Sequence, residues 1–246
     1  MNKRAVKNIQ IAAIFFISLL FVVRFGGAGI LRAYVEMGIG NCRTMPVLCA
    51  YPAEDISDTA LDSAYISGLL PYKFPGMNIS IPRGFAVIKG RVKKVYYKKK
   101  KFGAGSPVVY LLYQKPRFFV NLFPQAKRHG IADNYEFVSR TIYADPRNIN
   151  NIMDAFFVIM KAIFTPDIGD QKNVKIAKFN LPGGKGFITY NFDPSRNYFD
   201  CDVVFADDSF CKVYIKDKGK VLQMKDVAAI ISTLKVSDAA ASDETG

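Results

Sequence analysis

The chain has 246 residues, half of them hydrophobic and 13% aromatic, and its 34 lysines and arginines against 21 acids give a formal charge of +13. This composition excludes a disordered or low-complexity chain and leaves apolar mass for one large domain or two small ones. The positive excess points to anionic partners: lipid headgroups, acidic polysaccharide or acidic protein surfaces.

The first segment, 1–31, reads as a membrane-targeting element. Lys3, Arg4 and Lys7 precede an apolar run at 11–23 that Ser18 alone interrupts. Thirteen residues make ~20 Å of helix, short of the ~30 Å hydrocarbon core and suited to the apolar region of a signal peptide. Extended over 9–31, with Arg24 snorkelling to the headgroups, the helix reaches ~34 Å and spans. The leading expectation is an uncleaved single-pass signal-anchor. A cleaved signal, cut near Gly26 and Ala28, is the alternative. In both cases the basic flank stays cytoplasmic and the following domain is periplasmic or extracytoplasmic. That compartment argues against nucleic acid as partner.

Residues 32–73 read as a juxtamembrane connector with a short helix capped near Ser57. The four cysteines form two close pairs, Cys42 with Cys49 and Cys201 with Cys211. In an exported chain such pairs predict two short-range disulfides. A metal centre fits poorly, because the spacings are not C-x₂₋₄-C and His129 is the one histidine.

From 74 to 236 the pattern is that of an exported domain. Short strands are predicted near 78–81, 85–88, 91–97 and 108–113, the last two as a hairpin. Its tip gathers Arg91, Lys93, Lys94, Lys98, Lys99, Lys100 and Lys101 with Tyr96, Tyr97 and Phe102 interleaved. Such a patch suits anionic headgroups, at ~1 kcal/mol per cation near a surface. The plain alternative is a solvated tip whose lysines block edge aggregation.

Strands are predicted at 118–123 and 135–143. A long helix follows over 147–164, with Asp145 as its cap and one wide apolar face running from Ile149 to Phe164. Four meandering strands come next, at 174–179, 186–192, 199–205 and 210–216, and short connections make neighbours antiparallel. A helix at 225–235 closes the domain, and 237–246 is a small, polar, acidic tail read as disordered. The expected fold is therefore α+β: one transmembrane helix, then an antiparallel sheet packed with a mid-chain helix and a C-terminal helix.

The stretch Ile79-Ser80-Ile81-Pro82-Arg83-Gly84-Phe85, together with helices flanking a meander over 74–236, resembles the PsbP-like group of exported α/β/α sandwich proteins. The resemblance carries no diagnostic motif. It implies an accessory or assembly role at a membrane complex and transfers no functional residue. The basic hairpin departs from it.

Other candidates have plain explanations. Asp200 and Asp202 alternate with Cys201 and Val203, as on the polar outer face of a strand, and with Asp207 and Asp208 they lack the spacing of a calcium loop. His129 sits in a basic loop with no G-x-S-x-G elsewhere. Pro182-Gly183-Gly184-Lys185-Gly186 reads as a hairpin turn, since a phosphate loop needs G-x-x-x-x-G-K-[ST] before a helix. No catalytic, cofactor-binding or metal residue is assigned. The expected function is a membrane-anchored, non-enzymatic envelope protein whose exported domain binds a partner protein or an anionic membrane surface. An exported hydrolase, or a cleaved secreted binder, is the alternative.

Overall fold

A computed structural model describes residues 27–89, 107–165, 173–192, 197–217, 219 and 221–237. Helix α1 (Gly27–Gly38) is followed by a disulfide-bearing loop and strand β1 (Pro52–Asp55). Helix α2 (Ser63–Ser67) is capped by Asp62, whose carboxylate accepts from the Ala64 and Tyr65 amides. Strands β2 (Leu70–Phe74), β3 (Met77–Ile81), β4 (Ala86–Lys89) and β5 (Val108–Gln114) come next. Four helices follow: α3 (Phe118–Leu122), α4 (Pro124–Arg128), α5 (Asn134–Ile142) and α6 (Ile152–Phe164). The chain ends in β6 (Lys175–Leu181), β7 (Gly184–Phe192), β8 (Asn197–Val204), β9 (Phe210–Asp217), α7 (Met224–Ser232) and β10 (Lys235–Val236).

The main sheet runs β1-β6-β7-β8-β9-β5-β4, and a small antiparallel sheet runs β10-β3-β2. One face of the main sheet packs against α7 and β3, with Phe179, Phe199, Val213 and Ile215 meeting Met77, Ile79, Val227 and Ile230. On the other face α3 to α6 bury an aromatic cluster, Phe119, Phe137, Phe157 and Phe210, against Ile176, Phe187 and Val204. Phe119 stacks on Phe137 at 4.9 Å, and Phe123 stacks on the same ring at 5.5 Å. At the β6–β7 turn Gly184 takes φ +135, where a Cβ would also meet Val203, so glycine is required there.

The α+β composition stands, and several expectations are corrected. Among the described residues, no helix is long and apolar enough to cross a membrane. Where the predicted span would end, α1 instead has 12 residues, ~18 Å, carries Arg32 and Glu36, and buries Val35 against the domain. The N-terminal transmembrane helix, the signal-anchor reading and the periplasmic or extracytoplasmic placement that rested on it are thereby withdrawn. The apolar run at 11–23 lies outside the described residues.

The main sheet is mixed, not antiparallel, because β1 pairs parallel with β6 and β4 parallel with β5. The strand predicted at 91–97, and with it the predicted basic hairpin and its cations, Arg91, Lys93, Lys94 and Lys98 to Lys101, lies outside the described residues.

Two predicted strands are helices. The strand predicted at 118–123 is the short helix α3, Phe118–Leu122, with Phe123 as its C-cap. In α5, Asp133 caps the Glu136 amide at 2.7 Å and the buried set Phe137, Val138, Thr141 and Ile142 follows helical spacing. The long helix starts later than predicted: Asn151 caps it through the Met153 and Asp154 amides, while Asp145 caps a separate 3₁₀ turn, Pro146–Asn148.

Candidate functional site

The strongest concentration of buried charge lies on β8 and β9, on the face that α3 to α6 cover in part. Antiparallel register sets Thr189, Asp200, Tyr214 and Tyr110 in one row across β7, β8, β9 and β5. The next row holds Phe187, Asp202, Lys212 and Leu112. Lys212 Nζ sits between the two acids, 2.8 Å from Asp200 Oδ2 and 2.8 Å from Asp202 Oδ1, and 5.3 Å over the Phe164 ring at the end of α6.

The carboxylates are 1% and 2% exposed, so the outer-face reading of Asp200 and Asp202 is overturned. Two acids against one lysine leave a net negative charge inside the sheet when both are ionised. Burial pushes Asp200 up to about 7, with Lys212 opposing, and raises Asp202 as well. For Lys212 burial acts downward, and the two carboxylates more than offset it, so it stays an ammonium. Asp200 Oδ1 is buried without a hydrogen-bond partner.

On the opposite side of the same strands are Cys201 and Cys211, buried free thiols whose ionisation burial suppresses. Register explains why the predicted second disulfide does not form: Cys201 faces Val213 and Cys211 faces Val203, a diagonal rather than a direct pair. Cys211 Sγ instead lies 3.4 Å from Met77 Sδ.

A second cluster joins the cysteine loop to α6. Cys42 and Cys49 form a disulfide with Cα atoms 5.4 Å apart. Beside it Asp145 accepts from Tyr51 Oη and from Arg147 Nε at 3.0 Å, Arg147 Nη2 at 2.5 Å and the Arg147 amide at 2.7 Å. Burial alone would raise Asp145, but the Arg147 and Tyr51 hydrogen bonds hold it at about 2. Lys161, 1% exposed, donates to the carbonyls of Leu48 (3.1 Å), Ala50 (2.8 Å) and Ala144 (3.0 Å). All three ammonium hydrogens thus hold the cysteine loop and the α5–α6 connection to α6. Burial brings Lys161 down to about 8, with Asp145 opposing.

The Cys42, Cys49 and Asp145 ligand atoms lie within 4.8 Å of one another. With the sulfurs bonded together and the carboxylate held by Arg147 and Tyr51, this set is committed to structure and does not suit a metal.

His129 ends α4 and is exposed. It shares an open cleft of about 470 Å³ with Tyr135, Glu136, Ser139, Arg140 and Tyr143. A neighbouring cleft of about 270 Å³ adds Asp145, Asn148 and Asp154. The turn at 182–186 lines another cleft, of about 650 Å³, as the tight hairpin its sequence predicts.

Lys161 and Lys212 are the organising cations, and the sequence reading singles out neither. A signal exists for each: Lys161 is a charge on the apolar face of a helix, four residues after Phe157, and Lys212 interrupts the apolar strand Phe210, Cys211, Val213. The chain matches no protein-family model, no curated protein and no solved structure.

Proposed function

We propose that this protein is a non-catalytic binding module for an anionic surface, engaged through the cationic segment Arg91 to Lys101. The observation that carries the reading is where the chain inserts that segment. It joins β4 to β5 at the edge of the main sheet and supplies seven cations within eleven positions.

The use of charge elsewhere supports the same reading. In the described body the buried titratable groups are held by other groups of the fold: Asp145 by Tyr51 and Arg147, Lys161 by three carbonyls, Asp200 and Asp202 by Lys212. Groups so engaged build a scaffold. An accessory role is also what the PsbP-like resemblance implies.

A hydrolytic reading has one observation in its favour, the cleft that brings His129 and Glu136 together. It is the weaker reading because both groups are exposed, while a general base acts best when a second group orients it.

The test is cosedimentation of the full chain with vesicles of phosphatidylglycerol and phosphatidylcholine at low salt. Changing Lys98 to Lys101 to glutamine should weaken binding about tenfold or more, and added salt should do the same to the wild type. Binding unaffected by either change overturns the proposal.

A further inference from the structure

The cleft of about 470 Å³ beside α5 has walls that the fold holds in place. Gly130, at φ +83, closes α4. The Ile131 amide donates to the Ala126 carbonyl at 3.2 Å and the Gly130 amide to the Lys127 carbonyl at 3.1 Å, a glycine stop common at helix ends. Ile131 is buried in the aromatic cluster, so His129 is carried on an anchored turn. The facing wall is one ridge of α5, where Glu136, Ser139, Arg140 and Tyr143 follow i, i+3, i+4 and i+7. Tyr135 and Tyr143 both rest on Phe187 of β7, with ring centroids 6.0 and 6.1 Å from it.

Charge in the cleft is unequally engaged. Glu136 Oε2 accepts from the Ala132 amide at 2.5 Å, and Asp133 accepts from the Glu136 amide at 2.7 Å. Both carboxylates thus serve the first turn of α5, where the helix end offsets part of their charge. Arg140 and His129 are exposed and make no ion pair among the described residues. Lys185 Nζ lies 4.2 Å over the Tyr135 ring and adds a further cation beside them. The cleft therefore offers a guanidinium, an imidazole and the hydroxyls of Ser139 and Tyr143, a donor-rich set that suits phosphate oxygens. The tyrosine rings suit the carbon skeleton of a small ligand.

We infer that this cleft binds a phosphate ester of a small polyol, with Arg140 and His129 holding the phosphate and Tyr135 and Tyr143 flanking the polyol. That chemistry has two sources, a soluble ester such as glycerol phosphate and the glycerol phosphate headgroup of an anionic lipid. Every residue of the site belongs to the described fold, and the inference does not depend on the segment Arg91 to Lys101.

His129 is the chain's one histidine, so its Cε1 proton gives a single assignable signal in the proton NMR spectrum of the full chain. Glycerol phosphate, added at constant ionic strength, should move that signal to saturation. Arg140→Gln, with far-UV circular dichroism unchanged, should weaken the binding about tenfold. Arg128→Gln, on α4 but outside the cleft, should leave it unchanged. Cosedimentation of Arg140→Gln with phosphatidylglycerol vesicles then identifies the source: weakened pelleting assigns the site to the headgroup, and unchanged pelleting to the soluble ester.

A His129 signal that moves no further than in matched sodium chloride overturns the inference. So does a shift that Arg140→Gln leaves intact, or that Arg128→Gln weakens equally, since diffuse surface charge would then suffice. None of these results bears on the proposed function, because both variants keep Arg91 to Lys101.

Discussion

Asp200 offers the sharpest physical test of the buried charge cluster. In the folded chain its carboxyl titrates at about 7, against ~3.9 when unfolded. Between those values the native state holds a proton that the unfolded state has released, so the contribution of Asp200 to stability falls as pH rises through this window. A displacement of ~3 units corresponds to ~4 kcal/mol, a large share of the 5–15 kcal/mol typical of a domain.

Asp200→Asn keeps the shape, the hydrogen-bonding oxygen toward Lys212 and the position beside Thr189, but has no proton to lose. The variant should match the wild type within ~1 kcal/mol at pH 4.5 and exceed its stability by ~2–4 kcal/mol at pH 8. Urea denaturation followed by far-UV circular dichroism at pH 4.5, 6 and 8 measures the difference. If the two proteins keep a constant gap across pH, Asp200 does not titrate in this window. If the variant is the less stable one at pH 8, the ion pair with Lys212 outweighs the burial of the extra charge and the reasoning fails.

Two further substitutions test the cluster around the cysteine loop. Lys161→Met removes the ammonium and leaves the carbonyls of Leu48, Ala50 and Ala144 without their donor, so urea unfolding should show a loss of about 3 kcal/mol; an unchanged midpoint would mean that water replaces all three bonds. The Cys42–Cys49 bridge closes a separation of seven residues, for which loop-closure entropy gives ~2–3 kcal/mol, and the double change to serine should cost that much, with a reductant lowering the wild type by the same amount and leaving the variant unmoved.

Local periodicity carries far in this chain. The meander β6 to β9 is legible because its strands are rich in aromatic and β-branched residues and its turns are marked by Pro182-Gly183, Asp193-Pro194 and Asp207-Asp208. Helix α6 is legible because Met153, Phe157 and Met160 keep helical spacing over its whole length. Where the sequence misleads, non-local partners decide. Phe119 and Phe137 look like strand residues by composition, and become helical because their rings stack on each other across α3 and α5. The apolar strand signals at β4 and β5 are right in kind, but pairing direction depends on which edge of the sheet each strand reaches, and no local pattern encodes that. The disulfide expected at Cys201 and Cys211 fails for a related reason: proximity in sequence is the same for direct and diagonal neighbours, and only register separates them.

The acid pair shows most plainly how one residue far along the chain changes the meaning of a motif. Asp200, Cys201, Asp202 and Val203 alternate polar and apolar, and alternation alone cannot tell an outward polar face from an inward one that is neutralised. Lys212 makes the inward option possible, because the β8–β9 register sets it directly opposite Asp202 and one row from Asp200. One lysine neutralises one carboxylate, and the second acid is a buried charge whenever both are ionised. Replacing a whole buried ion cluster by apolar groups is often neutral or stabilising, so retaining an unbalanced acid has a stability cost. That cost falls away when Asp200 is protonated. Asp200→Asn tests the scaffold role: if it stabilises the fold at pH 8 and leaves vesicle binding unchanged, the acid pair shapes the scaffold alone.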